Sequence, residues 1–182
     1  MQIAAFIGSP RIRGNTDLLV AEILRGAESL GAQSERFYLN KLNIAPCQAC
    51  DTCFKIGRCR VQDDMQPLYD KLLEADVILL GTPIYFWGPS AQMKLFLDRW
   101  YALDQKGVRE RLAGKRLLLV CAFADSDPET ATPTVQLVRT GTEWFKMQFL
   151  PPLLVTASAR GEVATKPEIM EKAYQMGLQI VR

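Results

Sequence analysis

A chain of 182 residues has room for one folded domain of ordinary size, and its 48% hydrophobic and 23% charged residues match a soluble globular composition, which sets aside disorder and membrane classes. The 22 Lys+Arg against 20 Asp+Glu leave a net charge of +2 with no basic block, so nucleic-acid binding has no electrostatic footprint. Histidine is absent, which removes the usual general base, the commonest metal ligand and every Ser-His or Cys-His nucleophile, and with them most support for a hydrolase.

The chain opens on Met1-Gln2-Ile3-Ala4-Ala5-Phe6, with no basic segment ahead of its apolar stretch, and no apolar run approaches the ~20 residues of a spanning helix. Secretion and membrane insertion are not expected; a cytoplasmic location is. Residues 3–7 are a short unbroken apolar run that stops at Gly8, as in a strand buried on both faces of a parallel sheet. Leu19, Ile23, Ala27 and Leu30 recur at helical spacing, and Gly31 follows as a C-cap. A more polar second strand is expected at 34–39, nearer an edge, and the cysteine-rich segment at about 44–62 reads as an irregular loop insertion.

Asp63 or Asp64 caps a helix that carries Met65, Leu68, Leu72 and Ala75 on one face. Residues 77–80 are the clearest buried strand; after a loop at 82–89, Met93, Phe96, Leu97 and Trp100 mark the next helix, and Asp98-Arg99 within it reads as a surface or helix-packing pair. A fourth strand at 117–123 takes Cys121 as a small apolar side chain. A helix within 134–147, a fifth strand at 153–157 and a closing helix at 167–181 complete the chain, and Pro151-Pro152 limits where the fifth strand begins, because proline supplies no ladder donor. Five strands alternating with helices predict one α/β domain over 1–182, a doubly wound five-stranded parallel sheet with helices on both faces. Ligands bind such sheets beyond the carboxyl ends of the strands.

Two loops at that end are candidates. The first, Gly8-Ser9-Pro10-Arg11-Ile12-Arg13-Gly14-Asn15-Thr16, offers hydroxyl and amide donors from Ser9, Asn15 and Thr16, close backbone approach at Gly8 and Gly14, a helix N-terminus, and a charge from Arg11 or Arg13. It matches neither a Walker loop nor the G-x-G-x-x-G pattern, so a monophosphate is expected rather than ATP or NAD; the alternative is a polar surface connection. The second, Thr82-Pro83-Ile84-Tyr85-Phe86-Trp87-Gly88-Pro89, places apolar area and backbone amides beside the anion site, suited to a flat heteroaromatic ring. Tyr85, Phe86 and Trp87 could instead fill a core or a dimer contact.

Four of the five cysteines fall in Cys47-x2-Cys50-x2-Cys53-x5-Cys59, close to the compact spacing that wraps a cubane cluster. Zinc accepts four thiolates too, and metal-free thiols are a third reading. The odd total argues against a disulfide framework.

The Gly-Ser-Pro-Arg…Gly-Asn-Thr loop, Pro83-Ile84-Tyr85-Phe86 followed by Ser90-Ala91-Gln92-Met93-Lys94…Leu97-Asp98-Arg99, and Cys47…Asp63-Asp64-Met65 resemble the NAD(P)H-dependent FMN reductase and iron–sulfur flavoprotein branch of the flavodoxin-like superfamily. The resemblance covers about the first two-thirds of the chain. It implies strand order 2-1-3-4-5, FMN phosphate held by Ser9, Arg11, Gly14, Asn15 and Thr16, and the isoalloxazine ring against Pro83, Ile84, Tyr85, Phe86, Trp87 and Gly88. It places Ala124-Asp125-Ser126 where related proteins close over the ring. It implies a [4Fe-4S] cluster on Cys47, Cys50, Cys53 and Cys59, close to the flavin of a partner subunit, hence a homodimer or dimer of dimers; Ala49 stands where the family has glycine.

The expected function is an FMN oxidoreductase in which the flavin carries the chemistry and no side chain is assigned a catalytic role. Input is hydride from NAD(P)H or single electrons from a ferredoxin-type partner. The alternatives are a cluster-free NAD(P)H-dependent reductase of quinones, nitroaromatics or azo compounds, and a non-catalytic electron carrier.

Overall fold

The structure is a computed structural model that describes residues 1–181. In chain order its elements are β1 (Gln2–Ile7), α1 (Asn15–Glu28), β2 (Gln33–Tyr38), α2 (Thr52–Ile56), α3 (Gln66–Glu74), β3 (Val77–Tyr85), β4 (Gly88–Pro89), α4 (Ala91–Asp98), β5 (Arg116–Phe123), α5 (Thr132–Trp144), β6 (Gln148–Phe149), β7 (Leu153–Thr156) and α6 (Pro167–Gln179). The sheet runs β2-β1-β3-β5, with β6 and β7 both on the outer side of β5, and every pairing is parallel except the short β3–β4 contact. This is the expected doubly wound order.

Among the described residues the strands number seven rather than the expected five, for two local reasons. β3 runs on past its buried core to form a hairpin with β4. The outermost strand is split: Gln148 and Phe149 pair with the start of β5, Leu153 to Thr156 with its end, and Pro151-Pro152 interrupts the ladder between them.

Alternation along each strand divides the core between the two faces of the sheet. Ala4 and Phe6 of β1 join Ile78, Leu80, Phe96, Trp100 and Leu119 on the face covered by α3, α4 and α5. Ile3, Ala5 and Ile7 join Leu19, Ile23, Leu79, Val120 and Leu153 on the face covered by α1 and α6. Those two helices pack backbone to backbone: a β-carbon on Gly26 would collide with the Tyr174 carbonyl, and one on Gly177 with the Ile23 carbonyl. No helix among the described residues is long and apolar enough to cross a membrane.

Candidate functional site

The carboxyl ends of β1 and β3 lie side by side, joined by the Gly8 N–H donating to the Gly81 carbonyl at 2.8 Å. Beyond β1 the chain turns into α1 through a loop whose own groups fix its shape. The Arg11 N–H donates to Ser9 Oγ (3.2 Å), the Gly14 N–H to the Arg11 carbonyl (3.0 Å), and the Arg13 N–H to Asp17 Oδ2 (2.7 Å), with Arg13 in the left-handed region at φ 55°. Tyr38 OH donates to the other Asp17 oxygen at 3.0 Å. α1 begins at Asn15 behind Gly14, which supplies no side-chain cap, so its first N–H groups remain available to an anion.

The segment after β3 is a hairpin rather than an open loop. Phe86 (φ 49°) and Trp87 (φ 59°) both adopt left-handed backbone, the two-residue turn whose twist suits paired strands, with Ile84 opposite Pro89 and Tyr85 opposite Gly88. Bulky residues rarely occupy that region, and the hairpin pairing and a Thr134 hydroxyl donating to the Trp87 carbonyl hold them there.

A buried network ties this hairpin to the first loop. Ser90 Oγ donates to the Gly8 carbonyl (2.7 Å) and caps α4 by accepting the Met93 N–H (3.2 Å), while the Ser90 N–H donates to Thr82 Oγ1 (3.0 Å). A β-carbon on Gly8 would press on Ser90 and Met93, so glycine there lets α4 approach the loop.

Between the two segments opens a cleft of about 230 Å³. Ser9, Arg11, Gly14, Asn15 and Thr16 line one end and Pro83, Ile84 and Tyr85 the other; Phe86, Trp87 and Gly88 form the hairpin tip outside the lining, with Phe86 93% exposed. The end of β5 contributes Ala122, Phe123 and Ala124.

A third wall, Ala157, Ser158 and Arg160, was not foreseen from the sequence. It follows β7 and is latched to the first loop: Asn15 Nδ2 donates to the Ala157 and Ala159 carbonyls (3.2 and 2.8 Å), Asn15 Oδ1 accepts the Val163 N–H, and Arg160 donates to the Ile12 carbonyl at 2.6 Å. The Asn15 side chain thus joins two loops. Glu162 closes the turn by accepting from Lys166 and from the Ser158 and Ala159 amides; those bonds hold its carboxyl at about 2. The sequence signal was Ser158-Ala159-Arg160-Gly161, small and cationic residues at the end of a strand.

The cysteines form a separate site. Cys47, Cys50, Cys53 and Cys59 line one hollow together with Arg99 and Tyr101, and none is in a disulfide. Ala49 and Asp51 are in the left-handed region (φ 48° and 52°), and the short helix α2 carries Cys53 inward. Burial pushes the Cys53 thiol up, and the hydrogen bond with Thr52 draws the exposed Cys50 thiol down. Among the described residues no three His, Cys, Asp or Glu side chains converge closely enough to hold a single metal ion. This hollow shares no lining residue with the cleft. Cys121 lies apart in β5, where burial pushes its thiol up to about 12.

The expected Asp98-Arg99 pair separates. Asp98 accepts from Lys94 on the surface, whereas Arg99 turns inward to Asp63, which does not cap α3 but sits ahead of it and accepts the Met65 N–H. Burial is the largest influence and opposes both charges; their mutual hydrogen bonds, added to the Ala45 and Met65 amides on Asp63 and to the neighbouring Tyr69 and Cys59 on Arg99, together outweigh it, raising Arg99 and lowering Asp63.

The chain spans about half the length of the curated iron-sulfur flavoproteins it matches: an iron-sulfur flavoprotein of Methanocaldococcus jannaschii is 41% identical over 99 residues, 54% of this chain and 51% of that protein. A Bacillus subtilis protein, named among NAD(P)H-dependent FMN-containing oxidoreductases, is 26% identical over 181 residues, 97% of this chain and 96% of that protein. The solved NAD(P)H:quinone oxidoreductase of Methanothermobacter marburgensis superimposes with a TM-score of 0.80 at 13% identity, over 100% of this chain and 96% of that one, a likeness of fold alone. The model of the NADPH-dependent FMN reductase family matches residues 1–161, and the chain, flavodoxin-like in fold, belongs to that family.

Proposed function

We propose that the whole chain is one FMN-binding unit that acts as an NAD(P)H-linked oxidoreductase, with an iron–sulfur centre on its cysteine loop. The observation that carries the flavin reading is the convergence of three loops on one cleft, an uncapped helix N-terminus and cations at one end and the Pro83–Ile84–Tyr85 wall at the other. The residues fit a phosphorylated planar ring. Ser9, Arg11, Gly14, Asn15 and Thr16 would hold the phosphate through hydroxyl, backbone and guanidinium donors, and Arg160 adds a second cation at the same end. Pro83, Ile84 and Tyr85 would orient the ring and shield one side from water, with Phe86, Trp87 and Gly88 at the open rim. Bound FMN supplies hydride and single-electron chemistry, so the chain's own work is binding, orientation and the exclusion of solvent.

The donor set of the second site fits a polynuclear iron centre. Four soft thiols face one hollow, and a buried guanidinium lies against Cys59 to offset their negative charge. Because the hollow and the cleft share no wall within one chain, electron exchange between them fits a homodimer in which one subunit's cysteine loop meets its partner's cleft; the exposed Phe54, Ile56, Phe86 and Trp87 supply apolar contact area. A ferredoxin-type donor suits the cluster-bearing form. The full-length match to the Bacillus subtilis protein, named for NAD(P)H and FMN, supports NAD(P)H as donor, which a second reading, a cluster-free reductase, would share.

Anaerobic purification followed by flavin, iron and sulfide analysis separates these readings. One equivalent of FMN with iron and sulfide is the expected result; FMN with NAD(P)H oxidation and no iron selects the second reading. A colourless protein that fails to take up added FMN removes both.

A further inference from the structure

Beneath the cysteine loop lies a buried ion pair that the flavin cleft does not use. Arg99 is 1% exposed and Asp63 5%, and Arg99 sits at the end of α4. Its bonds go to positions flanking the cysteines. Nη1 donates to the Ala45 carbonyl (2.8 Å) and Asp63 Oδ2 (2.5 Å); Nη2 donates to Asp63 Oδ1 (3.2 Å) and to Cys59 Sγ (3.4 Å). Ala45 precedes Cys47 and Asp63 follows Cys59, so one guanidinium spans the neck of the loop. Asp63 completes the closure by accepting the Ala45 N–H at 2.9 Å.

A buried pair of this kind is weak evidence for stability, since desolvation offsets its attraction, and here Arg99 Nε is buried without any partner. An apolar pair would fill the space at less cost. What an apolar pair could not do is donate to a sulfur while gripping both ends of the loop, a task that needs the planar fork of arginine rather than the point charge of lysine.

We propose that Arg99 is a positioning residue for the metal–thiolate centre of Cys47, Cys50, Cys53 and Cys59: with Asp63 it holds the loop neck closed, and its bond to the Cys59 sulfur raises the centre's reduction potential. The proposal rests on the iron–sulfur reading above. Donation to a ligating sulfur withdraws electron density and favours the reduced, more negative form, and partners of metal ligands commonly change metal affinity about 10- to 100-fold.

The test uses the double variant Asp63→Asn/Arg99→Gln, which orphans no buried charge, beside Arg99→Lys, which keeps the charge without the fork. Apo proteins are compared by hydrogen exchange, and all are reconstituted anaerobically with ferrous iron and sulfide. In the double variant, amides across 45–65 should lose protection while β1, β3 and β5 keep theirs, and iron should be held about tenfold more weakly. Its one-electron equilibrium should shift about tenfold toward the oxidised centre, a fall of about 59 mV in midpoint potential. Arg99→Lys should recover part of the potential and little of the iron retention. A double variant with wild-type protection, iron content and potential overturns the proposal; lost protection with an unmoved potential overturns its redox half. A wild-type protein that binds FMN but takes up no iron and sulfide overturns the iron–sulfur reading itself, a separate outcome.

Discussion

Ser90 shows how much one hydroxyl decides here. It is fully buried, caps α4 and donates to the Gly8 carbonyl, so it fastens the hairpin after β3 to the loop after β1. Ser90→Ala removes the cap and orphans a buried carbonyl, a cost of about 1–2 kcal/mol. For a domain of this size a fall in Tm of roughly 2–8 °C is expected. Calorimetry checks it, and an unchanged Tm would show that the network does not join the loops. A serine just ahead of a helical pattern is a local signal for the cap, but no local signal marks its second partner, which lies 82 residues away. Arg99 makes the same point. It is adjacent to Asp98, yet successive helical residues point about 100° apart, so one stays in water with Lys94 and the other enters the core.

At the scale of elements, the strands and helices follow from apolar periodicity and punctuation, while the connections do not. The 82–89 segment, read as a loop, is a hairpin because Phe86 and Trp87 take left-handed backbone that pairing with β4 supports. The turn after β7 is held by Glu162, whose carboxyl sits at about 2 against an ordinary 4.5. A depressed carboxylate contributes stability that is present above its unfolded value and lost as pH falls through its folded one. The turn should therefore hold at neutral pH, weaken below about 4.5 and loosen near 2. NMR titration of the Ser158 and Ala159 amides should show a midpoint near 2 that Glu162→Gln abolishes. A midpoint at the ordinary carboxylate value would show that Glu162 holds nothing.

Across the whole molecule, the cleft belongs to no single segment: it is assembled from residues between Ser9 and Arg160, so ligand binding should couple to global stability. Free FMN at 100 times its Kd would add about 2.7 kcal/mol and raise Tm by roughly 5–11 °C. Riboflavin, which lacks the phosphate, should give a much smaller rise; equal rises would rule out the anion site as the anchor. The chain by itself determined the parallel sheet and its two covered faces, because apolar runs and helical spacing are local patterns that the backbone periods of 2 and 3.6 residues read directly. It also determined the donor-rich loop after the first strand and the cysteine spacing, since both are contiguous. Only the tertiary structure decided that Arg160 and Ser158 wall the cleft, that Asn15 is committed to joining loops, and that Arg99 lies against Cys59. Those contacts join residues 40 to 148 positions apart, and such pairings are set by how helices and loops pack over the finished sheet.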